Sequence, residues 1–415
     1  MSREMKDSGI DWIREIPSNW YTQRFKFFRT CANVGISLDK NYWSDDDSYN
    51  VFYTAGEKHI YSSFSDFPLD KYTTEQDLLL SRNGTPYVYY PKVHSQYSDH
   101  IIRTNIYSKY CKRFVFYCLQ QSILSDTVDS VSIPTWSISI WDKQILVVPP
   151  LDEQKSIATF LDSKCASINQ AIQKQKDIVI KLKEYKQSII TKAVTKGLNP
   201  NVKMKDNEID WIREIPESWD IIPLKVLFKE NKRRNKDLTN SNLLSLSYGR
   251  IIQKDIDSNF GLLPDNFSKY TIVNDGDIVL RLTDLQNDHK SLRTGLVTQS
   301  GIITSAYVTL TPKKKLCSRY FHYLLHSYDI QKIFYTMGEG IRQNLSYDEL
   351  SRNIRLIMPS FKEQQSIANY LDSKCLAIDE SIKRSNKIIQ KLEEYKKSLV
   401  YNAVTGKIDC RGEVK

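Results

Sequence analysis

The stretch IDWIREIP at residues 10–17 occurs again, letter for letter, at residues 209–216. A second motif, EQKSIA at residues 153–158, returns as EQQSIA at residues 363–368. The first pair of copies lies 199 positions apart (209 − 10) and the second pair 210 (363 − 153), so the segment between the motifs is longer in the second half of the chain. This pattern predicts a pseudo-twofold internal repeat, in which a duplicated frame carries two different surfaces.

Each copy of the second motif opens a long stretch without proline or glycine. The stretches begin after Pro149-Pro150 and after Pro359 and run to about Val194 and Val404, so each predicts a long helix. A seven-residue apolar repeat in two helices of equal length indicates a coiled coil, and the large region between them favours antiparallel pairing. The alternative is that each helix packs only on its neighbouring domain. The predicted seam positions are Leu161, Ile168, Gln175, Leu182 and Ile189 with Ala171, Ile178 and Tyr185 between them, and Leu371, Ile378, Ser385, Leu392 and Leu399 with Ile388 and Tyr395.

The regions that precede the helices differ from them in kind. Residues 21–148 and 220–358 carry short β-branched and aromatic runs separated by Gly, Asn, Asp and Pro, with a helical stretch late in each, near residues 113–124 and 318–335. They predict two compact domains of α/β (α+β) class with mixed or antiparallel sheets. The expected segments are a first domain (1–148), a first helix (149–200), a second domain (201–358), and a second helix with a tail (359–415).

The composition limits which binding partners and which cellular compartment are expected. The 415 residues carry a formal charge of +10 and a pI near 9.0, which suits phosphate backbones or anionic membrane surfaces without deciding between them. Seven cysteines without a Cys-x-x-Cys pair support neither a disulfide framework nor a zinc knuckle. No segment has the roughly 18 consecutive apolar residues of a membrane span, so we expect a cytoplasmic protein that does not bind a membrane.

Two segments match part of a catalytic motif but not the rest of it. Gly406-Lys407 continues with Ile408 and lacks the upstream glycine of a phosphate-binding loop, and Asn199-Pro200 does not continue into a methyltransferase motif. His322 and His326 have zinc-helix spacing without the accompanying Glu, so an amphipathic interface helix is the better interpretation. We therefore expect no metal, no cofactor and no catalytic residue.

The duplicated motifs resemble those of the specificity subunits of type I restriction-modification systems, and the resemblance spans essentially the whole chain. It rests on WIREIP at residues 12–17 and 211–216 and on the helix start PPxxEQxxIA at residues 149–158. The second helix start, residues 359–368, lacks one of the two prolines.

Two segments inside the second domain also resemble the family: DGDIVL at residues 275–280 and GIRQNL at residues 340–345. The first domain departs from the pattern, with SIPTWS at residues 132–137 near the place of a Gly-x-Arg-x-Asn-Leu segment.

The resemblance implies a non-catalytic reader of double-stranded DNA. Two target recognition domains would each read one half of a split, asymmetric sequence, and the paired helices would hold them apart as a spacer. Two methyltransferase subunits and two restriction subunits would be the protein partners. Three alternatives stay open: a coiled-coil scaffold whose domains bind proteins, an orphan DNA-binding decoy, and a nucleic-acid enzyme with an unrecognised site.

Candidate contact residues follow from the chemistry of DNA recognition. Arg pairs with guanine and Asn or Gln with adenine, whereas Lys and Arg also hold phosphates. A solvated surface charge is the alternative for each. The DNA-contact candidates are Arg82, Asn83, Thr85 and Lys92 in the first domain, and Lys232, Arg233, Arg234, Arg281, Lys290, Arg293, Arg342, Gln343 and Asn344 in the second. The candidates for subunit docking are Trp12, Trp211, Gln154 and Gln364, of which the two tryptophans are expected mainly to anchor the start of each repeat.

Overall fold

The computed structural model describes residues 3–122, 135–209, 211–254, 267–285, 292–337 and 344–411. The chain divides into two compact units. The first unit comprises residues 1–176 and 387–415, and the second comprises residues 177–386. Each unit therefore contains one half of each long helix. The four-segment division expected from the sequence stays a prediction.

The elements of the first unit are built around a four-stranded antiparallel sheet of order β4-β11-β8-β9. A second, mixed sheet has the order β10-β6-β7-β5, and β1–β2 and β3–β12 form two-stranded pairs. The strands are β1 (Met5–Asp7), β2 (Glu15–Pro17), β3 (Tyr21–Arg24), β4 (Asn33–Val34), β5 (Trp43–Ser44), β6 (Asn50–Tyr53), β7 (Ile60–Ser62), β8 (Asp77–Ser81), β9 (Val88–Tyr89), β10 (Gln96–Tyr97), β11 (Ile101–Asn105) and β12 (Ile145–Val148). The helices are α1 (Lys112–Ser122), α2 (Ile138–Lys143) and the start of α3 (Leu151–Lys196).

The second unit has a corresponding four-stranded antiparallel sheet of order β16-β23-β20-β21. Its other strands form the antiparallel pairs β13–β14, β15–β24, β17–β18 and β19–β22. The strands are β13 (Met204–Asp206), β14 (Glu214–Pro216), β15 (Asp220–Pro223), β16 (Phe228–Glu230), β17 (Leu244–Ser247), β18 (Arg250–Gln253), β19 (Thr271–Val273), β20 (Ile278–Leu280), β21 (Thr294–Leu296), β22 (Gly301–Ile303), β23 (Val308–Pro312) and β24 (Arg355–Met358). The helices are α4 (Leu224–Leu227), α5 (Ser318–Ile330), α6 (Tyr347–Asn353) and the start of α7 (Phe361–Val404).

The central sheets and the late helices form the cores of the two units. Every residue of β8 and of β20 is buried, as their unbroken apolar runs predict. Helix α1 packs its buried face into the same apolar cluster as β8, and α5 does so with β20. Two of the short apolar runs are thus β8 and β20, and the predicted late helices are confirmed.

The long helices pack against each other in an antiparallel sense within each unit. In the first unit, Ile168 and Ile172 of α3 share one buried cluster with Leu399 and Ala403 of α7. In the second unit, residues 190–194 of α3 share a cluster with residues 367–375 of α7. The start of one helix thus meets the end of the other, and the predicted antiparallel coiled coil is confirmed.

Five of the fifteen predicted seam positions, those between the residues spaced by seven, were wrong by one residue. Ile178 and Tyr185 are 43% and 53% exposed, and their counterparts Ile388 and Tyr395 are 44% and 57% exposed. The less exposed positions beside them are Ile172, Val179 and Lys186 on α3, and Ile382, Ile389 and Lys396 on α7. Alternating steps of three and four residues from Leu161 lead to these positions. The sequence favoured Ile178 and Tyr185 because they are apolar, whereas a lysine such as Lys186 was not expected in the seam.

Candidate functional site

Each copy of the first motif forms a β-hairpin that brings a tryptophan to the start of a long helix. The hairpins are β1–β2 and β13–β14, and a tight turn follows each. The indole N–H of Trp20 donates to Oε2 of Glu153 at 3.2 Å, and that of Trp219 donates to Oε1 of Glu363 at 3.2 Å. Sequence reasoning missed both tryptophans as anchors, although they share the 199-residue offset of the motif that precedes them.

The glutamine of the second motif is an internal clamp. The Gln154 side chain accepts from the backbone N–H of Cys111 at 2.9 Å and donates to the carbonyl of Pro149 at 2.8 Å. Gln364 does the same with Cys317 at 3.0 Å and Pro359 at 2.9 Å. Because the two glutamines are 2% and 0% exposed, the structure corrects their assignment as subunit-docking residues: both amides are used inside the chain.

A second duplicated cluster fastens the late helix of each domain to a long helix. In the first unit, Asp162 of α3 accepts from Nε of Arg113 and from the hydroxyl of Tyr117, both at 2.6 Å. In the second unit, Asp372 of α7 accepts from Arg319 and, at 2.8 Å, from the hydroxyl of Tyr323. Burial, followed by the hydrogen bond to the carboxylate, raises the pKa of each tyrosine, so both phenols stay protonated. These contacts fix how each domain sits on its helix.

The two motif tryptophans are partly buried anchors. Trp12 packs against the core of the first unit, and Trp211 packs edge-on against Tyr328 with 4.9 Å between ring centroids. The indole N–H of Trp211 is buried without a hydrogen-bond partner among the described residues. The anchoring role expected for both side chains agrees with this packing, and their docking role stays a prediction.

Three of the DNA-contact candidates of the first unit lie in the loop between β8 and β9, and the fourth, Lys92, lies beyond β9. Arg82 is exposed and donates weakly to the carbonyl of Asp99 at 3.4 Å, while Asn83 Nδ2 lies 2.8 Å from Nδ1 of His100. Thr85 and Lys92 are also exposed. The loop therefore presents a guanidinium, an amide and a hydroxyl to solvent.

The corresponding loop of the second unit follows β20. Asn344 is exposed and its Oδ1 accepts from the backbone N–H of Asp284 at 2.9 Å, while Arg281 is half-buried. The N–H of Leu345 donates to the carbonyl of Leu282 at 2.9 Å, matching a 2.7 Å bond from Trp136 to Arg82 in the first unit. Trp136 of the first domain and Leu345 of the second thus make equivalent backbone hydrogen bonds to these loops. Three further candidates, Lys290, Arg342 and Gln343, lie outside the described residues.

Arg293 was wrongly predicted as a DNA contact. The residue is fully buried. Its guanidinium donates to the hydroxyl of Tyr335 at 2.9 Å and to the carbonyls of Arg281 and Thr283 at 3.1 and 2.8 Å. A planar group with several donors can tie a loop to its neighbours in this way. Arg293 therefore shapes the loop after β20 from beneath and does not reach the surface.

Basic residues of the second unit surround a surface pocket of about 480 Å³. The candidate Arg234 lines the pocket and is held by a 2.6 Å hydrogen bond from Nη1 to Thr271 Oγ1. Lys232 and Arg233 are exposed, and Lys232 pairs with Glu230 at 2.9 Å. The lining residues are Arg234, Lys236, Ser268, Lys269 and Ser305, of which Ser268, Lys269 and Ser305 were not anticipated from the sequence.

The histidine pair on α5 is part of the protein interior. Burial lowers the pKa of His322 to about 4 and, with His322 and Lys186 nearby, that of His326 to about 3. Both rings are therefore neutral near neutral pH. Across the described ranges, no group of His, Cys, Asp and Glu side chains is arranged to hold a metal ion, and no helix has the length and apolarity to cross a membrane.

Comparisons with known proteins agree with the duplicated frame. Residues 32–182 match the family model described as the type I restriction modification DNA specificity domain. The specificity subunit of the type I restriction enzyme MjaVIII of Methanocaldococcus jannaschii is 26% identical over 315 residues, which cover 71% of this chain and 70% of the relative. The EcoBI specificity subunit of Escherichia coli is 24% identical over 334 residues, 73% of this chain and 67% of the relative.

A solved structure described as the basis of complex assembly and conformational transition of the type I restriction-modification system has the same fold. It superposes with a TM-score of 0.64 at 12% identity, covering 95% of this chain and 99% of the other. The repeated frame, the matched domain and the named relatives point the same way: the chain is similar to the specificity subunits of type I restriction-modification systems.

Proposed function

We propose that this chain reads a two-part, asymmetric DNA sequence, one part with each unit, and directs methyltransferase and restriction subunits to it. The observation that carries the proposal is a frame that occurs twice with unlike surfaces attached. The hydrogen bonds that Gln154 and Gln364 make have nearly equal lengths in the two units. The strands beyond the central sheets, by contrast, are arranged differently. Two different recognition surfaces, attached to the long helices by equivalent contacts, suit an asymmetric target.

The basic pocket of the second unit supports a phosphate contact. Arg234, Lys236 and Lys269 bring three cations to its lining, two serines add hydroxyl donors, and none of the described lining residues is a carboxylate. Lys and Arg side chains that neutralise DNA phosphates supply sequence-independent affinity. In this role the pocket positions the DNA and leaves base recognition to other residues.

Base recognition is assigned to the loops after β8 and β20. Arg82 and Asn83 provide donors suited to guanine and adenine in the first unit, and Asn344, which is hydrogen-bonded to the loop after β20, provides an amide in the second. Lys92, Lys232, Arg233 and Arg281 are supporting candidates, together with Lys290, Arg342 and Gln343.

Protein partners complete the proposal. The relatives are named as subunits of restriction enzymes, and the similar solved structure concerns assembly of a type I system. We assign this chain two methyltransferase subunits and two restriction subunits, and no reaction of its own. Co-purification with the methyltransferase subunit, followed by a methylation assay with each component omitted, tests this part. Turnover by the isolated chain would contradict it.

The DNA proposal is tested with the assembled methyltransferase complex. Wild-type complex should bind one duplex sequence preferentially, with affinity that falls as salt rises. Arg82→Ala should weaken binding of the cognate duplex by about 1 to 3 kcal/mol and relax the sequence preference at one base pair. A combined Arg234→Ala and Lys269→Ala variant should instead weaken all duplexes alike and reduce the salt dependence by about two phosphates.

Lys205→Ala is the matched control, because Lys205 is an exposed lysine on β13 outside the pocket and the loops. It should leave both affinity and salt dependence unchanged. Binding without sequence preference by the wild-type complex would contradict the proposed function and favour a scaffold for proteins.

A further inference from the structure

The β17–β18 hairpin of the second unit ends in a tyrosine with an unusual backbone. Ser247 pairs with Arg250, so the turn consists of Tyr248 and Gly249 alone. Their φ angles are 46° and 78°, and two positive values characterise the tight turn that normally takes Asn-Gly or Gly-Gly. A bulky side chain in the left-handed region is strained, and such strain is concentrated at functional positions.

The tyrosine ring is also left in solvent. Tyr248 is 86% exposed, among the most exposed large hydrophobic residues of the described chain. Asn would relieve the backbone strain and also remove an exposed aromatic ring. Neither folding nor solubility therefore accounts for a tyrosine here.

The hairpin is held firmly enough to present its tip. Its inner face lies directly on Gly295 of β21: a Cβ there would come within 2.5 Å of Leu246 and 2.8 Å of Ile251. On the other face, Nη2 of Arg250 binds Oδ2 of Asp379 on α7 at 2.8 Å. Packing on one side and an ion pair on the other fix the direction of the ribbon.

The chemistry of the outer face favours DNA over a protein surface. Alternation places Ser245, Ser247, Arg250 and Ile252 on it, with a single aliphatic side chain among polar ones. Protein interfaces depend on a packed apolar centre, which this face lacks. A two-stranded ribbon has the width that the major groove of B-DNA admits, and Lys254, exposed just beyond β18, adds positive charge.

We propose that the β17–β18 ribbon enters the major groove of the target duplex and that Tyr248 at its tip determines one base pair of the second half-site. The proposal rests on the proposed function. The ring of Tyr248 suits apolar contact with a base edge, such as a thymine methyl group, and its hydroxyl suits a hydrogen bond to a neighbouring group.

The test uses the assembled methyltransferase complex. The sequence methylated by the wild-type complex in cells is read from genome-wide adenine methylation, and the complex is then compared with Tyr248→Asn and Tyr248→Gly variants on that duplex. Both substitutions fit the turn, so the unfolding temperature should be unchanged or higher. We expect the Kd for the cognate duplex to rise about tenfold and the preference to relax at one position of one half-site.

Leu69→Asn is the matched control, since Leu69 is also 86% exposed but lies in the first unit. It should leave the methylated sequence and the Kd unchanged. Tyr248→Phe should retain apolar contact and lose only the hydroxyl contribution.

Two results would overturn the proposal while leaving the proposed function intact. One is an unchanged sequence and Kd in both turn variants. The other is unchanged DNA recognition with loss of the methyltransferase subunit, which would make the ribbon a protein contact. A wild-type complex that methylates no defined sequence would instead contradict the proposed function itself.

Discussion

The two units share their contacts to the long helices and differ in the strands attached beyond the central sheet. Both central sheets are antiparallel and correspond strand for strand, as β4-β11-β8-β9 and β16-β23-β20-β21. Beyond them, the first unit adds a mixed four-stranded sheet, whereas the second adds the ribbon β17–β18 and the pair β19–β22. The contacts with the long helices are thus the same in both units, and the strands farther from the helices differ.

The two units also support their equivalent loops differently. In the first, the indole N–H of buried Trp141 donates to the carbonyl of Ser81 at 3.0 Å, at the end of β8. In the second, the buried guanidinium of Arg293 holds carbonyls after β20. One loop rests on an apolar ring with a single donor, and the other rests on a buried charge.

The largest difference between the units should follow from replacing that charge. Arg293→Met removes the guanidinium that donates to backbone carbonyls and to the Tyr335 hydroxyl, so it should destabilise the second unit by about 4 kcal/mol. Hydrogen exchange of the full chain should show faster exchange in β20 and β21 and little change in β8 and β9. Arg384→Met, on the exposed surface of α7, should change stability by less than about 0.5 kcal/mol. Equal loss of protection in both units would contradict the comparison.

Acidification should also separate the units. A histidine in an unfolded chain titrates near pH 6.5, whereas burial lowers the pKa of His322 to about 4 and that of His326 to about 3. Below pH 6.5 the unfolded state binds protons that the folded state does not, so the stability contributed by the neutral rings is lost as pH falls toward 4.

Between pH 7 and 5.5 the two histidines together should cost the second unit roughly 2 to 3 kcal/mol. Hydrogen exchange at the two pH values, corrected for intrinsic rates, should show the loss in α5. A His322→Asn, His326→Asn double variant, even if less stable at pH 7, should show a flatter profile. An unchanged profile in that variant would assign the pH dependence to other groups.

The glutamine clamps should show equivalence instead of difference. Gln154→Leu and Gln364→Leu each leave a buried N–H and a buried carbonyl without a partner, so each should cost about 2 kcal/mol. Thermal unfolding and hydrogen exchange should show nearly equal losses in the two units. Lys155→Ala and Gln365→Ala, at the adjacent exposed positions, are the controls. A loss in one unit only would show that the frame is duplicated in sequence but not in energetics.

The smallest expected effect concerns a pair of lysines in the seam. Lys186 binds Asp379 at 2.7 and 2.8 Å in the second unit, whereas Lys396 donates to Asn169 at 2.9 Å in the first. Asp379→Asn, which weakens the ion pairs with both Lys186 and Arg250, should lower the stability of the second unit by about 1 kcal/mol, and Asn169→Asp should raise that of the first by about 0.5 kcal/mol. Chemical denaturation at low and high salt measures both. Equal stability before and after the exchange would show that the ion pair adds nothing to a neutral hydrogen bond.

Several features followed from local sequence. The helix α3 was predicted from Pro149 to about Val194 and extends from Leu151 to Lys196, because capping and the absence of breakers are local signals. The apolar runs at β8 and β20 were recognisable as buried strands for the same reason. The candidate site was less predictable. The Arg82 loop lies on the surface as expected, but Arg293 lies beneath its loop, and no local signal separates a buried arginine from an exposed one.

The sequence by itself determined the duplication, the two long helices and the class of the domains, since these depend on periodicity and on motifs that can be compared along the chain. Only the tertiary structure decided which side chains fill the seam, because Lys186 enters it through Asp379, a partner distant in sequence. The same holds for Gln154 and Gln364, whose amides are buried by backbone groups that folding brings to them. Burial and pairing of polar groups depend on distant parts of the chain, and for that reason they were not visible in the order of residues.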